Sequence, residues 1–168
     1  AADLDWSGAM APENVAEYAA ADAGAEAYEA YLVADFLPVL QAGPEQLEAA
    51  MGELFTDADR AVLDEAMLAW MVAVFERAGA QGVVGVRDDG LADWGFDPAS
   101  ISVPTAIWQG DADAMVPFDH GRWLGAHVPG ARVHFLPGAG HLLLAHLGEA
   151  LAELRELAGL DGPAPVQR

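Results

Sequence analysis

The chain has 168 residues, 54% of them apolar, and its 27 acidic against 7 basic side chains give a net charge of -20. That length can bury a sizeable core, and that apolar content argues against general disorder. The negative field repels phosphate backbones and anionic bilayers, which disfavours nucleic-acid and membrane partners, and the absence of cysteine excludes disulfides, thiolate zinc sites and cysteine nucleophiles.

No run approaches the eighteen or so apolar residues that a membrane helix needs. The N-terminus shows no basic region followed by an apolar core, so no secretory signal is visible and a cytoplasmic location is expected. Pro12 suits a first helical turn, and the Ala/Glu-rich segment after it predicts helix to about Tyr31. Pro38 interrupts, and Gly43-Pro44 opens a short helix to about Leu54. Thr56 and Asp59 have the spacing of a capping box. Beyond them Leu63, Met67, Trp70, Met71 and Val74 recur at helical spacing as a core-packing stripe, and Gly79 gives a stop.

Residues 81–100 lack a sustained period and read as connecting chain. Thereafter the pattern becomes strand, loop, helix. Ile101–Gln109 is a short β-rich run, and Phe118–His127 is a helix cut off by Val128-Pro129-Gly130. Arg132–Leu136 is a second strand, and Leu142–Leu157 has apolar and charged residues at helical spacing. Residues 161–168 read as a flexible tail. Two short apolar strands, each followed by a helix, predict part of a parallel α/β sheet. The chain has no internal repeat, no P-loop and no GxGxxG.

Ligands and catalytic groups gather at the carboxyl ends of strands in open parallel sheets. The first predicted strand ends in Gly110-Asp111-Ala112-Asp113, the second in Pro137-Gly138-Ala139-Gly140-His141. A carboxylate and an imidazole delivered to adjacent strand ends can meet, the carboxylate accepting the Nδ1–H and fixing the tautomer. The alternatives are that Asp113 caps its own turn and that His141 is a packed loop histidine. Asp111 reads as a solvated loop residue and His120 as structural. His127, His134 and His146 show no partner pattern, and no His/Asp/Glu grouping has metal-site spacing.

The stretch ISVPTAIWQGDADAMVPFDHGRWLGAHVPGARVHFLPGAGH, residues 101–141, resembles the C-terminal part of the α/β-hydrolase fold. The matching landmarks are Val103-Pro104, Gly110, Asp113, Val116-Pro117, the Pro129-Gly130-Ala131 turn and Gly140-His141, in that order. The resemblance covers residues 95–157, with 1–94 corresponding only to the helical cap that many members insert. It implies an α/β fold organised as a cap region, 1–94, a core part, 95–160, and a tail. It implies Asp113 as the acid and His141 as the general base of a catalytic triad, with no metal or organic cofactor. Trp70, Met71 and Phe75 then become candidates for lining a substrate pocket or packing the cap.

The family's nucleophile sits before the cap on a Gly-x-Ser-x-Gly elbow. The serines here are Ser7, Ser100 and Ser102, and none lies in such an elbow. The oxyanion-hole loop and the earlier strands of the family have no counterpart either. Two strands alone would expose a parallel edge and an apolar face. The expected partner is therefore the N-terminal half of the same hydrolase, as a separate or cleaved chain, with a swapped homo-oligomer as another possibility. Two functional readings follow. One is the C-terminal portion of a hydrolase acting on an ester-like or amide-like, hydrophobic small molecule, with a serine nucleophile (or an aspartate, as in some members). The other is a non-catalytic fragment that serves as an interaction module.

Overall fold

The structure, a computed structural model, describes residues 3–93 and 95–160. Its first part is helical. Helix α1, Pro12–Asp22, starts on its proline, and Gly24 at φ 107° separates it from α2, Ala25–Tyr31. A single π turn over Leu32–Phe36 carries the chain into α3, Leu37–Leu40. Pro38 therefore does not interrupt the helical run. It occupies the first turn of α3, where its missing N–H costs nothing.

Helix α4, Pro44–Ala50, and a 3-10 turn, Gly52–Leu54, lead to the one-turn helix α5, Asp57–Arg60. The capping box is present: Thr56 accepts from the Asp59 N–H, and the Asp59 carboxylate accepts from the Thr56 N–H. It caps only α5, however. The long helix α6, Glu65–Leu91, has its own N-cap in Asp64, whose side chain accepts from Met67 N–H at 2.8 Å.

Gly79 does not end α6. It kinks the helix at φ 49°, ψ -145°, and residues 81–91, which lack a sustained sequence period, continue helical to Leu91 and are not connecting chain. Packing overrides the poor helix propensity of Gly and Val there. Val83 is buried with Tyr28, Leu32 and Leu40, and Val86 packs on that cluster. Before the kink, the inward face of α6 is Leu68, Met71, Val72 and Phe75, which pack with Leu47, Met51 and Phe55. The expected stripe is thus rotated. Leu63 and Met71 pack inward as expected, whereas Trp70 and Val74 stand exposed.

The second part is a two-stranded parallel sheet. Strand β1, Ala106–Gly110, pairs with β2, Arg132–Leu136, in the register Ala106↔Arg132 to Gly110↔Leu136. Residues 101–104 do not join the ladder, and Thr105 enters it only through its carbonyl, which accepts from Arg132 N–H at 3.0 Å: Pro98–Ser100 forms a 3-10 turn, Val103 is exposed, and Pro104 has no N–H to donate. Helix α7, Phe118–His127, lies on one face and α8, Leu147–Leu157, on the other. The α7 side is tight, since a Cβ on Gly121 would overlap Gln109 and one on Gly125 would overlap Val133. The α8 side is polar. Trp108 Nε1–H donates to Glu153 at 3.0 Å, and His134, stacked on Trp108, bonds the same carboxylate. Residues 144–146 form a 3-10 turn before α8, so that helix starts later than its sequence period predicts.

The two parts are joined. Met115 and Leu142, from the loops after β1 and β2, pack into the Leu47–Met51–Phe55–Val72 cluster of the helical part. The readings that fall at residue 94 and at 161–168 lie outside the described residues.

Candidate active site

The two strand-end loops meet because β1 ends in glycine. A Cβ on Gly110 would overlap the Ala139 carbonyl, and with hydrogen there the chains close up: Asp111 N–H bonds Leu136 O at 3.2 Å and Ala112 N–H bonds Ala139 O at 2.9 Å. The Asp111 carboxylate accepts from Gly138 N–H at 2.6 Å. Asp111 is exposed, as expected of a solvated loop residue, and also ties the two loops together. Gly138 sits at φ 73°, a left-handed conformation that admits glycine readily.

Asp113 and His141 are brought together. Nδ1 of His141 lies 3.1 Å from Asp113 Oδ2. Asp113 is held on its other side as well: Oδ1 accepts from Met115 N–H and Val116 N–H, each at 2.9 Å. Its side chain is 6% exposed, that of His141 39%. The turn-capping role weighed for Asp113 and its contact with His141 therefore coexist, one on each carboxylate oxygen. The hydrogen bond to Asp113 raises the His141 pKa above the ordinary 6.5; partial burial opposes this, and the negative charges of Asp113 and Asp59 add to it. Nε2 of His141 makes no hydrogen bond among the described residues.

Two residues of this site escape sequence reasoning. Gln109, buried on β1, donates from Nε2 to Asp113 Oδ2 at 3.1 Å and to Val116 O at 2.9 Å, closing the acid loop over the strand. Only its placement in a strand opposite Gly121 could have flagged it. Asp59 is fully buried and accepts from Leu142 N–H at 2.7 Å, across 83 positions of sequence. Its capping-box signal points to a local role alone. The acid loop is also bound from the N-terminal side: Ala11 N–H donates to Ala114 O at 2.8 Å and Asn14 Nδ2 to Met115 O at 2.7 Å.

The remaining candidates are spread out. Trp70 is 62% exposed. Met71 and Phe75 lie in the packed cluster that also receives Met115 and Leu142. His120 is buried, with Nε2 2.8 Å from Trp6 O and its ring over the Trp6 ring. His127, His134 and His146 do find partners, in Trp123 O, Glu153 and Glu149. No hydrogen bond joins Ser7, Ser100 or Ser102 to His141 among the described residues, and Ser100 Oγ donates to Asp97 O at 2.6 Å. Among the described residues no three His, Asp or Glu side chains are grouped to hold a metal ion, and no helix is long and apolar enough to cross a membrane.

A cavity of about 650 Å³ reaches the acid loop at Met115. Its apolar wall includes Phe36, Val39, Met51, Leu54 and Met115, and Glu13, Glu17 and Asp35 add carboxylates.

No family model matches the sequence. Among solved structures, the chain is similar to a bromoperoxidase from Bacillus anthracis, an α/β-hydrolase-fold enzyme, at 24% identity and a TM-score of 0.58. The match covers 82% of this chain and 49% of that one, so the chain spans about half the length of the structure it resembles. The fold is accordingly α/β: a small parallel sheet with helices, matching a fragment of an α/β-hydrolase.

Proposed function

We propose that this chain is the C-terminal portion of an α/β-hydrolase in which Asp113 and His141 serve as acid and base of a nucleophile–His–Asp triad. The observation that carries the reading is the 3.1 Å hydrogen bond between His141 Nδ1 and a carboxylate whose other oxygen is already saturated by two backbone N–H groups. An imidazole so oriented presents Nε2 outward as a proton acceptor.

In the assembled enzyme a serine hydroxyl from the N-terminal half attacks the carbonyl carbon of an ester-like or amide-like substrate. Nε2 of His141 takes the hydroxyl proton, and Asp113 stabilises the imidazolium that results. The proton then passes to the leaving group as its bond to the carbonyl carbon breaks, and water hydrolyses the acyl-enzyme with His141 again as base. The helical region forms a cap over a hydrophobic small molecule, with Met71 and Phe75 packed in the cap's own core and Trp70 exposed on its surface. No cofactor enters these steps.

The proposal that an N-terminal half completes this sheet is supported by surface chemistry. In a two-stranded sheet each strand has an edge with no ladder partner among the described residues. Leu147, Leu151 and Leu154, one stripe of α8, are 52%, 51% and 60% exposed, and Phe135 of β2 is also exposed. Such a contiguous apolar stripe marks an interaction surface.

The test is active-site labelling. The chain is purified together with the polypeptide that completes it and treated with a fluorophosphonate, which reacts with activated serines. The label is expected on the companion chain and is expected to be lost when His141→Ala is introduced here. Labelling that survives His141→Ala, or no labelling of the assembled protein at all, overturns the proposal in favour of a non-catalytic module.

A further inference from the structure

His141 is steadied from two directions. Asp113 holds the ring, as described. The backbone on either side of the histidine is held by a different carboxylate, from another part of the chain. Asp59, on α5 of the helical region, accepts from the N–H of Leu142, and a Cβ on Gly140 would overlap its carboxylate. One buried carboxylate thus spans residues 140 to 142, with His141 between them. Its second oxygen accepts from Thr56 N–H at 3.0 Å and Thr56 Oγ1–H at 2.8 Å, so the group is fixed before it meets the histidine loop.

We propose that Asp59 is a positioning residue for His141: its carboxylate clamps the histidine loop and makes the base's placement depend on the docking of the helical region. The inference rests on the triad reading for its catalytic consequence, but the clamp itself does not. A helix cap needs only the Thr56–Asp59 exchange. Complete burial of a carboxylate is costly unless its lone pairs are occupied, and the Leu142 amide occupies one. The close approach at Gly140 leaves the loop little room to shift. Among the described residues, Asp113 from the β1–α7 loop and Asp59 from α5 are the two charges that act on the imidazole, both favouring its protonated form.

The experiment is NMR of the full chain, reading the exchange protection of the Leu142 amide and the titration of the His141 ring. In Asp59→Ala, Leu142 should lose its protection and the His141 midpoint should fall. Thr56→Ala, which removes the hydroxyl but leaves the carboxylate, should preserve both readouts. Should Asp59→Ala fail to fold, Asp59→Asn serves: it keeps an acceptor for Leu142 and removes the charge, so protection persists while the midpoint falls. An unchanged Leu142 amide in Asp59→Ala, an unchanged His141 midpoint in Asp59→Asn, or equal effects from Thr56→Ala would overturn the clamp. In the assembled hydrolase, Asp59→Ala should lower kcat by about ten- to a hundredfold with KM changed by less than about twofold, as expected when a base is misplaced without loss of binding. Hydrolysis that needs His141 and ignores Asp59 refutes the positioning role. Absence of His141-dependent hydrolysis, with both NMR signals still responding to Asp59, refutes the triad and upholds the clamp.

Discussion

At the scale of single residues, the His141–Asp113 contact has a defined pH signature. The folded-state pKa of His141 lies above the unfolded value of 6.5. The imidazolium–carboxylate pair therefore adds stability that is fully present below pH 6.5 and is lost as pH rises through the folded-state midpoint. Asp113→Asn removes the pair, so the His141 midpoint, followed by NMR, should drop, and the pH-dependent part of the mutant's destabilisation should fade toward alkaline pH. For catalysis the sign is the reverse, because only neutral His141 accepts a proton. The acid limb of the rate profile should lie above the ordinary histidine value and move down in Asp113→Asn. A midpoint at or below 6.5 in the native chain would contradict the contact. Asp113 and His141 were legible in the sequence because each follows a short strand within a run of landmarks a few residues apart. Gln109 and Asp59 were not, because their partners are set by packing, in the case of Asp59 across 83 positions.

At the scale of elements, helix–sheet and helix–helix fit decide what the sequence leaves ambiguous. Gly85 and Gly121 both lie inside helices, but a Cβ at 85 meets nothing, whereas one at 121 overlaps the buried Gln109 side chain. Gly85→Ala should therefore stabilise the chain by about 0.5–1 kcal/mol through helix propensity. At Gly121→Ala the clash outweighs that gain, and a net loss of about 1–3 kcal/mol is expected. Urea denaturation of the pair checks both signs at once; a stabilising Gly121→Ala would contradict the close α7–β1 approach. Thr56→Ala should cost about 1 kcal/mol, the usual worth of a helix cap. The same packing explains the misread portions. The turn signal at Gly79 is real as a kink, but residues 83 and 86 bury against the α2–α3 helices and hold the chain helical beyond it. The β-rich run from Ile101 was expected to start the strand, yet the ladder begins only at Ala106, past Pro104.

At the scale of the whole molecule, the chain combines a hydrogen-bonded His141–Asp113 pair with a sheet of two strands among the described residues. The α/β class was legible from two strand–helix repeats, and the helical region from propensity and period. Which surfaces are complete is not written in periodicity, because an outward leucine stripe and an inward one share the same spacing. Leu151→Glu should leave the far-UV circular dichroism of this chain nearly unchanged, since the side chain is half exposed, but should weaken its association with the proposed N-terminal half by at least about tenfold. Equal affinity, measured by titration calorimetry, would remove α8 from the interface. The central proposal is that His141 is the base of a hydrolase whose nucleophile is supplied by an N-terminal half. Its most direct test is p-nitrophenyl ester hydrolysis by the assembled protein, native against His141→Ala. A loss of roughly 10³-fold or more in kcat at unchanged assembly is predicted, and hydrolysis undiminished by His141→Ala would contradict it.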